Sequence, residues 1–205
     1  MKERVFIQNA RLSFPALAEP RETMAGNGDL KYQATFLLDP DNPSVKRLQE
    51  AIIKIARSEY KEKADSVLKN RDKVPLKKGN DKETVSPGYE NKLYISAKSK
   101  KQPELRDANP RVVITDPKVI MDKFVPGYRV NGYVELYSYS VKGPTGATIK
   151  SGIAAGLLSV QFAAYDDAFG TPLPSADDYP DCSDQVEKSQ GYETDSFEEE
   201  NYSFM

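Results

Sequence analysis

Two segments of the chain interleave cations with aromatic rings at the spacing of a β-strand. Lys92 to Lys98 alternates: Leu93, Ile95 and Ala97 point one way, while Lys92, Tyr94, Ser96 and Lys98 point the other. Tyr128 to Val141 does the same over a longer run. Val130, Val134 and Leu136 form one face, and Arg129, Asn131, Tyr133, Glu135, Tyr137 and Tyr139 form the opposite one. Lys100 and Lys101 follow the first segment directly. Cations neutralise phosphates, and flat rings stack on bases left exposed when no second strand covers them. Lys92, Tyr94, Lys98, Lys100, Lys101, Arg129, Tyr133, Tyr137 and Tyr139 are therefore the candidate contacts to a single-stranded nucleic acid. A tyrosine suits such a place because its ring stacks while its hydroxyl stays wet. The competing reading is structural. Tyrosine is a good strand former, and outward tyrosines also cover barrel faces or oligomer interfaces.

Other chemistries find less support. The sequence contains no histidine and one cysteine, Cys182, which removes Ser/His and Cys/His catalysis and the usual zinc sites. The carboxylate pairs Asp39/Asp41, Asp166/Asp167 and Asp177/Asp178 could in principle hold a divalent metal for strand cleavage. All three fall at predicted turns or near the C-terminus, where Asp serves the backbone. No GxxxxGK[ST] phosphate loop is present, and Gly143-Pro144-Thr145-Gly146 reads as a hairpin turn. The reading names no catalytic residue, no metal ligand and no cofactor. Its alternatives are a metal-dependent nuclease and a structural or protein-interaction module.

Charge is distributed unevenly. The chain holds 29 Lys and Arg against 31 Asp and Glu in 205 residues, but residues 177–205 carry a net −9 and residues 1–176 a net +7. A basic body meets polyanions, and a one-signed terminal block is usually a solvated interaction tail. Within it Glu198, Glu199, Glu200, Tyr202 and Phe204 are the candidate tail-interaction residues. The N-terminus runs into a strand without the apolar stretch of a signal peptide, and no segment approaches the roughly 20 apolar residues of a membrane span. The cytoplasm is the expected compartment.

The elements that must position these residues follow from periodicity. Val5 to Phe14 reads as a long strand stopped by Pro15, and Glu19 to Asp29 as a loop. Tyr32 to Leu38 alternates with Tyr32, Ala34, Phe36 and Leu38 on one face. Asn42 and Pro43 open a helix, as N-cap and first helical residue. Its stripe runs through Val45, Leu48, Ile52, Ile55 and Ala56 and extends through Tyr60, Ala64 and Val67, to end near Asn70. Residues 71–91 read as a long, mobile, basic loop around Lys73, Lys77, Lys78 and Lys82. Arg111 to Thr115 reads as a short strand ended by Asp116-Pro117, and Gly152 to Tyr165 as the last strand. Gly132 falls on an inner face, where a barrel strand bends or bulges. Five or more strands, one main helix and no βαβ rhythm predict a mainly β protein. Small all-β closure is the economical architecture, and the Pro/Ser/Asp-rich run after Gly170 marks the domain edge.

The order of these segments resembles a family of phage single-stranded DNA-binding proteins, akin to the replication-fork proteins of short-tailed phages. The resemblance rests on Lys92–Lys98 with Pro103 and Arg111–Pro117, on Pro126 through Val134, and on Lys150–Phe162 continuing through Asp166-Asp167-Ala168-Phe169-Gly170. The strands Val5–Phe14 and Tyr32–Leu38 also fit. It implies a mainly β, OB-fold-like five-stranded barrel with one main helix at 1–172 and a disordered acidic tail at 173–205, non-sequence-specific binding of single-stranded DNA, no catalysis and a homodimer. It further implies an acidic tail that competes with DNA for the cleft and recruits replication or recombination proteins. Those relatives end on an aromatic residue, whereas here Phe204 is penultimate and Met205 is last.

Overall fold

The computed structural model describes residues 1–22, 28–81, 86, 88–170 and 180. The chain divides into two units, Met1–Gly170 and Thr171–Met205. The predicted tail, with Glu198, Glu199, Glu200, Tyr202 and Phe204, Cys182 and the Asp177/Asp178 pair, lies outside the described residues, as does Lys82.

Among the described residues the first unit has seven strands: β1 (Lys2–Glu22), β2 (Leu30–Leu38), β3 (Leu76–Lys78), β4 (Leu93–Ser99), β5 (Glu104–Arg106), β6 (Arg129–Lys142) and β7 (Thr148–Ala164). Neighbours run β3-β4-β2-β1-β6-β7-β5, and β4 also meets β7 at Lys98 and Gly156. That last pairing closes β4, β2, β1, β6 and β7 into a five-stranded barrel, with β3 and β5 added outside it. Closure removes the open edges that a five-stranded sheet would otherwise expose. The alternation read from the sequence holds in the core: Ala34, Phe36, Leu38, Ile95, Ala97, Val130, Val134 and Leu136 are all buried.

β1 serves two partners. Its first half pairs with β6, from Lys2 opposite Tyr137 to Arg11 opposite Arg129, and its second half pairs with β2 out to Glu22. Pro15 therefore does not end the strand, contrary to the sequence reading, and Arg21 and Glu22 pair where a loop was expected. The register shifts between Ser13 and Ala16, so Pro15 sits where the ladder is already interrupted and its missing N–H costs little. Phe14 beside it has φ 44°, and Asn9, at a further shift between Ile7 and Ala10, has φ 50°.

α1 (Pro43–Tyr60) lies against the barrel. Asn42 caps it as predicted, its side-chain oxygen accepting from Ser44 N at 2.8 Å, and Val45, Leu48, Ile52, Ile55 and Ala56 are buried. The helix is not continuous to Asn70. Lys61 turns at φ 47°, a short 3₁₀ turn covers Lys61–Lys63, and α2 (Ala64–Lys69) resumes the stripe with buried Ala64 and Val67. Periodicity carries through such a break because the same core lies beneath both pieces.

Arg111–Thr115 is the clearest correction. Val112 and Val113 are 46% and 49% exposed, and Val113 makes one isolated bridge to Arg106. The strand in this region is β5, parallel to β7. Asp116 and Pro117 then open α3 (Pro117–Lys123), with the Asp116 carboxylate accepting from Lys118 N at 2.8 Å. The segment read as a mobile basic loop also carries structure. β3 pairs with β4, and Tyr89 is buried with its hydroxyl 3.1 Å from Ser13 Oγ.

Candidate nucleic-acid interface

The outer face of β4 presents Tyr94, Ser96 and Lys98. On one side Lys77 of β3 lies opposite Tyr94, and on the other β4 meets β7 at Lys98 and Gly156. Tyr137 and Tyr139, near the end of β6, stand opposite Ala154 and Gly152 of β7. Barrel curvature brings these pieces around one groove of about 420 Å³, lined by Lys31, Lys77, Lys98, Tyr94, Tyr137 and Tyr139, with Ile153, Ala154 and Ala155 among the smaller lining residues. Among the described residues Asp72 is the one acidic residue lining it, against those three lysines, of which Lys31 also lies 3.7 Å from the Asp29 carboxylate. A net positive groove with three rings is suited to phosphates and stacked bases together.

The tyrosines are held from behind. Tyr94 meets Tyr89 edge-on, with ring centroids 5.3 Å apart. Burial raises the Tyr94 phenol above its ordinary pKa, so it stays a neutral hydroxyl. Tyr60, at the end of α1, donates to the Gly152 carbonyl at 2.6 Å and lies 3.3 Å from the Tyr139 carbonyl. Burial raises its pKa as well. Gly152 is required here: a Cβ would lie 2.8 Å from Lys73 O and 3.2 Å from the Tyr139 ring. Ile153 N donates to the same Lys73 carbonyl at 2.7 Å, tying the segment before β3 to the groove floor.

Of the sequence candidates, Tyr94, Lys98, Tyr137 and Tyr139 line the groove and the others do not. Lys92 is ion-paired with Asp39. Arg129 binds Asp166 at 2.5 Å, and Arg11, its cross-strand neighbour, approaches the same carboxylate at 3.6 Å. The Asp166 pKa is lowered, first by the Asp167 backbone N–H it accepts from and then by Arg129. Arg11 also lies over the Phe169 ring at 4.4 Å. Lys100 and Lys101 are exposed beyond the end of β4. Tyr133 is 48% exposed and packs against Phe6 of β1. Asp39 and Asp166 are thus engaged with cations, and among the described residues no three acidic or sulfur ligands converge.

Sequence reading missed Lys31 and the placing of Lys77. Lys31 does lie on the outward face of the alternating β2 segment, which was a usable signal. β3 is three residues long, too short to show a period.

A closed five-stranded OB-type barrel carrying a lysine- and tyrosine-lined groove defines the class of OB-fold nucleic-acid-binding proteins. Residues 3–190 match the family described as the ssDNA-binding protein of Enterobacter phage Enc34, and the chain belongs to that family. Solved structures agree in fold. The single-stranded DNA-binding protein from bacteriophage Enc34 in complex with ssDNA superposes with a TM-score of 0.66 at 24% identity, covering 82% of this chain and 89% of that one. A second structure of the single-stranded DNA-binding protein from bacteriophage Enc34 gives a TM-score of 0.64 at 23% identity, covering 89% of each chain. The gp2.5 single-stranded DNA-binding protein encoded by bacteriophage T7 gives 0.52 at 12% identity, covering 98% of this chain and all of that one. No curated protein matches the sequence.

Proposed function

We propose that this chain is a non-sequence-specific single-stranded DNA-binding protein of a phage, acting in DNA replication, recombination or repair in the host cytoplasm and catalysing no reaction. The observation that carries the reading is the groove: three lysines and three tyrosines brought together from four strands, in a member of a family named for ssDNA binding. A relative of the same fold is seen in complex with ssDNA. Phosphates lie along the lysines and bases stack on Tyr94, Tyr137 and Tyr139. The rings of a binding track tolerate any base, because every base has a π-face.

The acidic segment 177–205 competes with DNA for the basic groove and recruits replication or recombination proteins, and the protein works as a homodimer. Opposite net charges on the two parts of the chain support the competition. A tethered polyanion competes at an effective concentration that reaches about the mM range for short flexible linkers. Titrating labelled oligo-dT and a duplex of equal length at two salt concentrations tests the reading. Tighter, salt-sensitive binding of the single strand supports it; Mg²⁺-dependent cleavage of the oligonucleotide would favour the nuclease alternative instead.

A further inference from the structure

We infer that the binding track does not end at the groove but continues along the outer face of β6 to a second aromatic station made by Tyr133 and Phe6, with Lys2 and Arg4 holding the phosphates between. The inference rests on the ssDNA reading above and extends it to residues outside the groove.

Tyr133, Glu135 and Tyr137 alternate with buried Val134 and Leu136, so they share one face of β6. Tyr137 lines the groove. Tyr133 stands four residues along the same strand, about 13 Å away at the usual strand rise. It is among the exposed large side chains, and its ring lies 5.0 Å from that of Phe6, its cross-strand partner, tilted by 41°. Nothing bulky from β7 stands beside the path, since the residues opposite Glu135 and Tyr137 are Gly156 and Ala154.

Glu135 would repel a phosphate chain passing over it. It is neutralised from β1: Lys2 Nζ lies 2.7 Å from Oε2, and Arg4 Nε lies 3.7 Å from Oε1. Two cations answer one carboxylate, so the crossing carries a net positive charge, and both cationic side chains are exposed. The Lys2 hydrogen bond is the main cause that holds the Glu135 carboxyl below its ordinary pKa. Continuity with the groove, a surplus cation and the exposed Tyr133 ring beside half-buried Phe6 fit an extended polyanion with stackable bases, and ssDNA supplies both.

The test uses the full chain, with labelled oligo-dT of about 6 and about 16 nucleotides, within the range of OB-fold site sizes. Tyr133→Ala is expected to leave the short oligonucleotide unaffected and to weaken the long one about fivefold or more, the loss of one stacking contact. Tyr133→Phe, which keeps the ring, restores the long-oligonucleotide affinity. Glu135→Gln, which removes the negative charge from the path, tightens the long one alone. Equal effects of Tyr133→Ala on both lengths, or none on either, overturn the inference. So does a changed sedimentation coefficient with intact DNA affinity, which would make the patch an interface between copies. Loss of binding to both lengths by the unaltered protein would instead remove the ssDNA reading itself.

Discussion

Tyr94, Tyr137 and Tyr139 differ from Tyr133, which also faces outward, in sharing a concavity with Lys31, Lys77 and Lys98. Replacing Tyr137 by Ala is expected to cost about 1–3 kcal/mol of oligo-dT binding, read by fluorescence titration, with the thermal midpoint little changed because the ring is only half-buried. Lys77→Ala or Lys98→Ala should act differently. Each removes one phosphate contact and flattens the log–log salt dependence by about 0.7, weakening all sequences alike. Asp166 is a stability residue at this scale. Its folded pKa is depressed by the Asp167 N–H and by Arg129, so its contribution is present above the unfolded value and is lost as pH falls through the folded one. Asp166→Asn should therefore lower the melting midpoint at neutral pH. The difference from the unaltered protein should shrink on acidification below the ordinary Asp value of 3.8. A difference that stays constant down to strong acid would show that charge at Asp166 does not matter.

At the scale of elements, the join between β1, β2 and β6 sets the barrel. Gly132 sits where β6 crosses buried Phe36, and a Cβ there would come 2.6 Å from the Phe36 ring. Gly132→Ala should cost about 1–3 kcal/mol of stability, as overpacking does, measured by denaturant unfolding. An unchanged midpoint would mean that the ring moves aside freely. Gly132 was legible in the sequence because an inner-face glycine in an alternating strand has few other reasons to be there. The helix start at Asn42-Pro43 was legible for a similar reason, since cap and first-turn residues act locally. Asp116-Pro117 carries the same signal, but α3 is seven residues long and offers no stripe to confirm it. Pro15 misled because its effect depends on whether the ladder needs its N–H, which the register of β1 on β2 decides. Arg111–Thr115 misled because a β-branched run fixes propensity and not partners; the sheet position there is taken by Glu104–Arg106. The site divides the same way. Alternation showed which residues of β4 and β6 face outward, yet curvature and distant partners decided which of them meet. Arg129 faces outward too, but Asp166, brought back by the end of β7, engages it.

Across the whole molecule, charge is the governing variable. Residues 1–176 carry +7 and residues 177–205 carry −9, and the competition proposed for the acidic segment is an interaction of opposite charges, which is screened as the Debye length falls to about 8 Å at physiological ionic strength. A chain truncated before Asp177 should bind oligo-dT more tightly than the full chain, most of all at low salt. Equal affinities at low salt would leave the acidic segment with no part in competition. The central claim is that a basic, tyrosine-lined groove takes single-stranded DNA through its backbone and its bases without reading sequence. Its most direct test is a titration of the full chain with oligo-dT and with a duplex of equal length, at about 50 and about 200 mM salt. The account predicts tighter binding of the single strand and an affinity falling with salt at a log–log slope of about −0.7 per phosphate neutralised. Binding that prefers the duplex, or that is indifferent to salt, would contradict it.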